Sequence, residues 1–262
     1  LACLAFGRLW VGGITGNESA VMPSMPGRWG TFLIDSEVYP DPSGGKVTAM
    51  WPVAGGMLVF TETSTFLVYP TDDGQDWHKD PIHPSVGCVA PGSIQNLPDG
   101  RTVWLSRQGF YAFRPGEAMV PISEEDQLLV DNINTGRVQQ ACSGVDIRSR
   151  EYRCWAPFLT GTENTQGFIY DYQEKGWRRR KGESPRGVCV TRDHRAYMII
   201  NGMVEAADPE GIQAGGFTDG GPIAPGEGQQ AEEDEDGEEI DPTQGVWLLD
   251  HQVQSFTPKE RT

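Results

Sequence analysis

Seven of the eight residues from Glu232 to Glu239, EEDEDGEE, are acidic, the densest set of potential ligands in the chain. Asp234 and Asp236 beside Gly237 fall at the spacing of a calcium loop, in which a bidentate glutamate closes the site at the twelfth position. Counted from Glu232, that position is Thr243, and Pro242 stiffens the approach to it. An EF-hand is therefore not expected. The run reads as a solvated acidic loop, because like charges repel and few apolar residues are at hand to anchor it. The opposite charge is concentrated in Arg178, Arg179, Arg180 and Lys181. Four adjacent cations could meet nucleic-acid phosphates. On the outer strand of a sheet they would instead guard against edge-to-edge pairing, and docking onto an acidic segment of a neighbouring subunit is a further use.

The remaining chemistry-bearing residues are scattered. His78, His83, His194 and His251 show no paired-ligand spacing, so no metal centre is expected. Cys3, Cys88, Cys142, Cys154 and Cys189 are odd in number and form no CxxC pair, and they read as reduced core thiols, with a Cys142 to Cys154 bridge as the minor alternative. Serine nucleophile elbows, phosphate-cradling loops and dinucleotide fingerprints are missing. Thr71-Asp72-Asp73-Gly74-Gln75-Asp76-Trp77 resembles, one residue short, the Asp-box of sialidase-like propellers. That element is a turn between strands, and no accompanying set of arginines with a tyrosine and glutamate pair can be placed. Asn17-Glu18-Ser19 is formally a glycosylation sequon. These residues predict neither a catalytic site nor a cofactor.

The elements that would carry these residues are short strands. With 33 glycines, 19 prolines and 8 tryptophans in 262 residues, frequent tight turns are expected and helix-period stretches are nearly absent. No apolar run reaches the roughly 18 residues of a membrane span, and LACLAFGRLW lacks the basic start and long apolar stretch of a signal peptide. A strand-turn-strand phrase recurs at 7–13, 55–69, 99–113, 150–172, 195–206 and 244–256. Anchored on Leu9, Leu58, Val103, Tyr152, Tyr197 and Val246, the repeats are spaced by 49, 45, 49, 45 and 49 residues. Further strands precede four of these hairpins at 46–53, 86–94, 137–147 and 186–193, and GWRRR at 176–180 supplies a fourth strand. Four strands every 40 to 50 residues, about six times over, predict an all-β fold of the β-propeller class. One small sheet buries too little alone, whereas stacked sheets cover one another. Trp10, Trp51, Trp104, Trp155 and Trp247 lie on the predicted strands as packing residues.

Two stretches break the pattern. SEEDQLLVDNIN at 123–134 predicts a short helix between blades, with Ser123 as its cap and Asp126 at the reciprocal position. Residues 207–243 are Gly-, Pro- and acid-rich and divide the chain into blades at 1–206, an acidic insertion, and a last hairpin with its tail at 244–262. The net charge of -16 is concentrated there, since residues 196–246 hold 13 acids and no Lys or Arg.

The phrases ESAVMPSMPGRWGTFLI (18–34), KVTAMWPVAGGMLVFTETSTFLVY (46–69), VGCVAPGSIQNLPDGRTVWLSRQGFYAF (86–113) and GFIYDYQEKGW (167–177) resemble the nozzle and hub propellers in tails of double-stranded DNA phages. The resemblance spans about residues 7–205 and rests on a pattern of Gly, aromatic and β-branched positions. It implies a structural virion component, with no catalytic residues, that forms a homo-oligomeric ring with other tail or portal-adaptor proteins around the channel through which DNA passes. An acidic segment facing such a channel would repel phosphate. A propeller that binds a protein or glycan through its loops is the alternative, and a sialidase-like glycosidase the third.

Overall fold

The computed structural model describes residues 1–206 except Ile34, 73–75, 125–129, 192–195 and 201–202, and for 203–206 it describes the backbone alone. The acidic insertion at 207–243 and the sixth hairpin at 244–256 lie outside the described residues, as do His194, His251 and Trp247.

Tight turns set the topology. Phe6 and Gly7 both take positive φ (54° and 67°), the backbone of a two-residue hairpin that matches the twist of its strands. The turn joins β1 (Ala2–Ala5) to β2 (Arg8–Ile14), and β3 (Asn17–Met25) and β4 (Arg28–Phe32) complete the first sheet. The second sheet holds β5 (Val47–Val53), β6 (Gly56–Thr61), β7 (Thr65–Pro70) and β8 (Trp77–His83). The third comprises β9 (Gln95–Asn96), β10 (Thr102–Ser106), β11 (Gly109–Phe113) and β12 (Val120–Pro121). The fourth comprises β13 (Cys142–Asp146), β14 (Glu151–Ala156), β15 (Gln166–Asp171) and β16 (Gly176–Lys181). A fifth holds β17 (Gly187–Val190), β18 (Ala196–Ile200) and β19 (Met203–Ala206). Every sheet is an antiparallel meander in chain order, and Leu9, Leu58, Val103, Tyr152 and Tyr197 all fall on its second strand.

The core lies between the sheets. Strand β6 is buried on both faces: Met57 and Val59 join Cys3, Trp10 and Val21 of the first sheet, while Leu58 and Phe60 join Trp104 and Phe113 of the third. Tyr152 and Cys154 then pack with Val103 and Phe110, and on the other face of the same strand Trp155 packs with Ala196 and Met198. Alternation of side chains along each strand thus serves two neighbours at once. This stacking of four-stranded meanders is the β-propeller architecture, with five blades among the described residues.

The strand predicted at 86–94 takes another form. Gly87 passes under the β6–β7 turn, Pro91–Ser93 form a 3-10 turn, and pairing is confined to Gln95 and Asn96. The Ser93 hydroxyl donates to the Ala90 carbonyl (2.6 Å) and accepts the Leu105 amide (2.8 Å), giving this segment the hydrogen bonds that a ladder would have supplied. The strand expected over 137–147 starts only at Cys142, after a 3-10 turn at Val138–Gln140. The centre of the loop helix expected at 123–134, residues 125–129 with Asp126, lies outside the described residues, and the Ser123 hydroxyl accepts the amide of Phe110 (2.9 Å).

Candidate functional site

Blade packing claims most of the residues singled out by type. Trp10, Trp104 and Trp155 are fully buried between blades, while half-buried Trp51 donates to Asn96 Oδ1 of the third blade (3.1 Å). Thr71 and Asp76 close the Asp-box-like turn, where the Thr71 amide donates to the Asp76 carbonyl (2.9 Å) and the Asp76 amide to Thr71 Oγ1 (3.1 Å). The turn delivers Trp77 to the head of β8, against Trp10 and Phe6 of the preceding blade at centroid distances of 4.5 and 5.4 Å. Trp177 repeats the device two blades on, 4.7 Å from Phe110 and donating to the Ile122 carbonyl (2.6 Å). His78 stacks on Tyr69 at 4.9 Å, and His83 Nδ1 accepts the Ser85 amide (3.1 Å). Asn17 of the sequon donates to the Tyr39 hydroxyl (3.1 Å). No group of His, Cys, Asp or Glu among the described residues is arranged to hold a metal ion, and no described helix is long and apolar enough to cross a membrane.

The cysteines are free thiols. Cys142 and Cys154 lie on paired strands one residue out of register, Cys142 opposite Trp155 and Cys154 opposite Ser143, so their side chains leave opposite faces and cannot bridge. Burial pushes Cys3 up to about 11 and both Cys88 and Cys142 up to about 12, and raises Cys154 as well. The thiolate is the reactive form, and Cys189 is the exposed thiol. A thiol reagent at pH 8 is expected to titrate one cysteine rapidly in the native chain and all five in denaturant; two fast thiols would contradict the blade packing.

Asp41, on the connector between the first two blades, is 7% exposed. Its carboxylate accepts the Ser43 amide (2.8 Å), the Ser43 hydroxyl (2.6 Å) and the Ser64 hydroxyl (3.2 Å), fastening the connector to the β6–β7 turn. Burial pulls its pKa upward, but these donors and the Gly45 amide outweigh it, leaving the group below its ordinary 3.8. A carboxyl depressed by folding stabilises fully above its unfolded value, and loses that contribution as pH falls through the folded one. Asp41→Asn should therefore cost about 2 kcal/mol at pH 7. The gap between variant and parent should narrow below pH 4 in urea titrations.

A charged cluster is buried between the fourth and fifth blades. Arg153 is fully buried and reaches Glu151 Oε2 through Nε (2.8 Å) and Nη2 (2.7 Å), Ser149 Oγ (3.1 Å) and Asp146 Oδ2 (3.5 Å). Arg178 of the outer strand pairs with the other oxygen of Glu151. Arg180 pairs with Glu183 (2.7 Å), which also accepts the Trp155 indole (3.1 Å). The basic run thus sits on outer strand β16, with two of its four cations turned to internal carboxylates and with Arg179 and Lys181 exposed.

At the loop ends of the third and fourth blades, Val89, Leu105, Val130, Ile133 and Val138 floor a shallow cleft with Ser106, Arg107 and Thr135 at its rim. Its cavity volume is about 10 Å³, the space of one water molecule. Exposed apolar side chains are most numerous on the first blade, Leu4 (56%) and Trp29 (57%) among them; Val190 (43%) and Ile199 (37%) are exposed on the fifth, and Val120 (45%) and Leu159 (61%) on the third and fourth. No hydrophobic cluster joins the first and fifth blades among the described residues.

Stacked meanders with these faces and edges define a β-propeller module. No family model and no curated protein matches the chain. Among solved structures, the extracellular domain of BT4673 from B. thetaiotaomicron aligns with a TM-score of 0.54 at 9% identity, over 80% of this chain and 26% of that one. A second structure of that domain gives a TM-score of 0.50 at 7% identity, over 78% and 25%. The chain thus spans about a quarter of the length of these neighbours, and the likeness is one of fold.

Proposed function

We propose that the chain is a structural propeller of a phage tail, working through contacts with copies of itself and with tail or portal-adaptor proteins around a DNA conduit. The tail assignment rests on the phrases at 18–34, 46–69, 86–113 and 167–177; the solved neighbours contribute the fold alone. The single structural observation that supports an assembly role is the exposure of apolar side chains on the first blade, Leu4 and Trp29 among them, with Ile199 exposed on the fifth. Exposed apolar surface of this kind marks contact surfaces. Electron microscopy and mass photometry of the full chain are expected to show a ring of fixed stoichiometry, dispersed by Leu4→Glu or Ile199→Glu, and the chain is expected to copurify with virions. A strict monomer at micromolar concentration, absent from virions, would overturn the proposal.

A second reading, a propeller that binds a protein or glycan through its loops, draws on the fold shared with an extracellular domain. Selective retention on a glycan array by a monomeric chain would favour it.

A further inference from the structure

Each blade ends in an outer strand whose free edge could accept another strand, and the four outer strands of the four-stranded blades are guarded differently. Strand β12 has two residues, one of them Pro121; β8 is interrupted by Pro81; β4 carries a central Gly30 and a register shift against β3. Proline, short length and irregularity are the ordinary protections of an edge. Strand β16, Gly176-Trp177-Arg178-Arg179-Arg180-Lys181, has none of them: it pairs residue for residue with β15 over its full six-residue length, without a bulge. Its protection is positive charge, which repels a basic strand and attracts an acidic one.

The strand is also tied to its neighbours on both faces. Trp177 anchors one face to the third blade through the Ile122 carbonyl, and Arg178 and Arg180 anchor the other through Glu151 and Glu183. An anchored edge reduces the ordering cost of accepting a peptide. Alternation puts Arg179 and Lys181 on the face opposite to Arg178 and Arg180, exposed and without an ion pair among the described residues. Two cations with open partners remain, two residues apart on one face.

We infer that β16 is a docking edge for an extended acidic segment of a partner protein, which adds as a fifth strand and places carboxylates at alternate positions against Arg179 and Lys181. The inference rests on the reading that the chain works through protein contacts, and it names the chemistry of one partner. Main-chain bonds supply affinity and the two alternate pairs supply specificity. The positions facing Arg178 and Arg180 need no acid, because internal carboxylates already balance those two. DNA fits less well: two available cations release few counterions, whereas tight phosphate binding needs about six to ten contacts. A second copy's own EEDEDGEE run fits less well too, since it lacks β-branched and aromatic residues and is a poor strand former.

The test uses the full chain and a fluorescent ten-residue peptide alternating Glu with Val or Thr, read by anisotropy. Binding is expected, and Arg179→Glu with Lys181→Glu should weaken it about tenfold or more, as the reversal of two charge pairs from attraction to repulsion allows. The melting curve should stay unchanged, since both side chains are exposed. N-methylation of every second peptide residue should abolish binding in one register and spare it in the other, a signature that charge attraction alone does not give. Absence of binding, indifference to methylation in both registers, equal or tighter binding of a 20-base-pair DNA duplex, or equal or tighter binding of a peptide of residues 231–241 would each overturn the inference. Ring formation is read separately, so failure here is distinguishable from failure of the assembly role.

Discussion

Gly87→Ala is expected to lower the stability of the blades by about 3 kcal/mol or more, near the upper end of what overpacking costs. A Cβ at this position would sit 2.1 Å from the Thr61 carbonyl oxygen, 2.5 Å from the Glu62 carbonyl carbon and 2.6 Å from the Thr63 nitrogen. All three are backbone atoms of the β6–β7 turn, so no side chain can swing aside. Nor can the segment retreat cheaply. The Cys88 amide donates to the Thr61 carbonyl (2.9 Å), the Trp104 indole to the Gly87 carbonyl (3.1 Å) and Thr48 Oγ1 to the Cys88 carbonyl (2.7 Å), ties worth about 1 kcal/mol each. In a domain of this size the loss corresponds to a melting temperature lower by about 10 °C. Gly176→Ala is the control, because a Cβ there meets nothing within 4 Å. Thermal melts of the two variants should differ sharply; similar curves would show that the crossing at Gly87 is looser than described.

Gly87 also marks where the sequence stops being legible. The recurring second strands could be read because their pattern is local: an apolar run, a turn residue and a second apolar run, repeated near a period of 47. Leu9, Leu58, Val103, Tyr152 and Tyr197 all land on equivalent strands for that reason. The segment VGCVAPGSI has the same apolar composition, yet its course is fixed by a turn 25 residues earlier in the chain and by the Ser93 hydroxyl, neither of which leaves a periodic trace. GWRRR was legible as an outer strand, but not its division of labour. That two of its cations turn inward depends on Glu151 and Glu183, which are distant in sequence or beyond the strand. Pairing register, too, is invisible in composition, and it alone separates Cys142 from Cys154.

The buried charges between the fourth and fifth blades were the least legible part, and they carry the other large effect. In REYRCW the alternation of Glu151 and Arg153 with apolar residues carries no sign of what covers the charged face, whereas β14 is covered on both faces. The signal available is the spacing itself: Glu151 and Arg153, two apart on one face, with Asp146 across the turn. Arg153→Met is expected to cost about 3–5 kcal/mol, because it leaves the buried carboxylates of Glu151 and Asp146 without their shared cation. Asp146 keeps the amides of Arg148 (3.0 Å) and Ser149 (3.1 Å), so the turn itself has other support. Glu151 keeps the Ser149 hydroxyl (3.3 Å) and Arg178, whose side chain is 62% exposed and therefore a weak substitute for a buried cation. Adding Glu151→Met should recover a substantial part of the loss, since an apolar pair replaces an orphaned charge and Arg178 returns to water. Urea denaturation of the parent, both single variants and the double variant closes the cycle. A double variant as unstable as the sum of the two singles would mean that Arg153 and Glu151 act independently, and that the cluster is two separate contacts rather than one clamp holding the blades together.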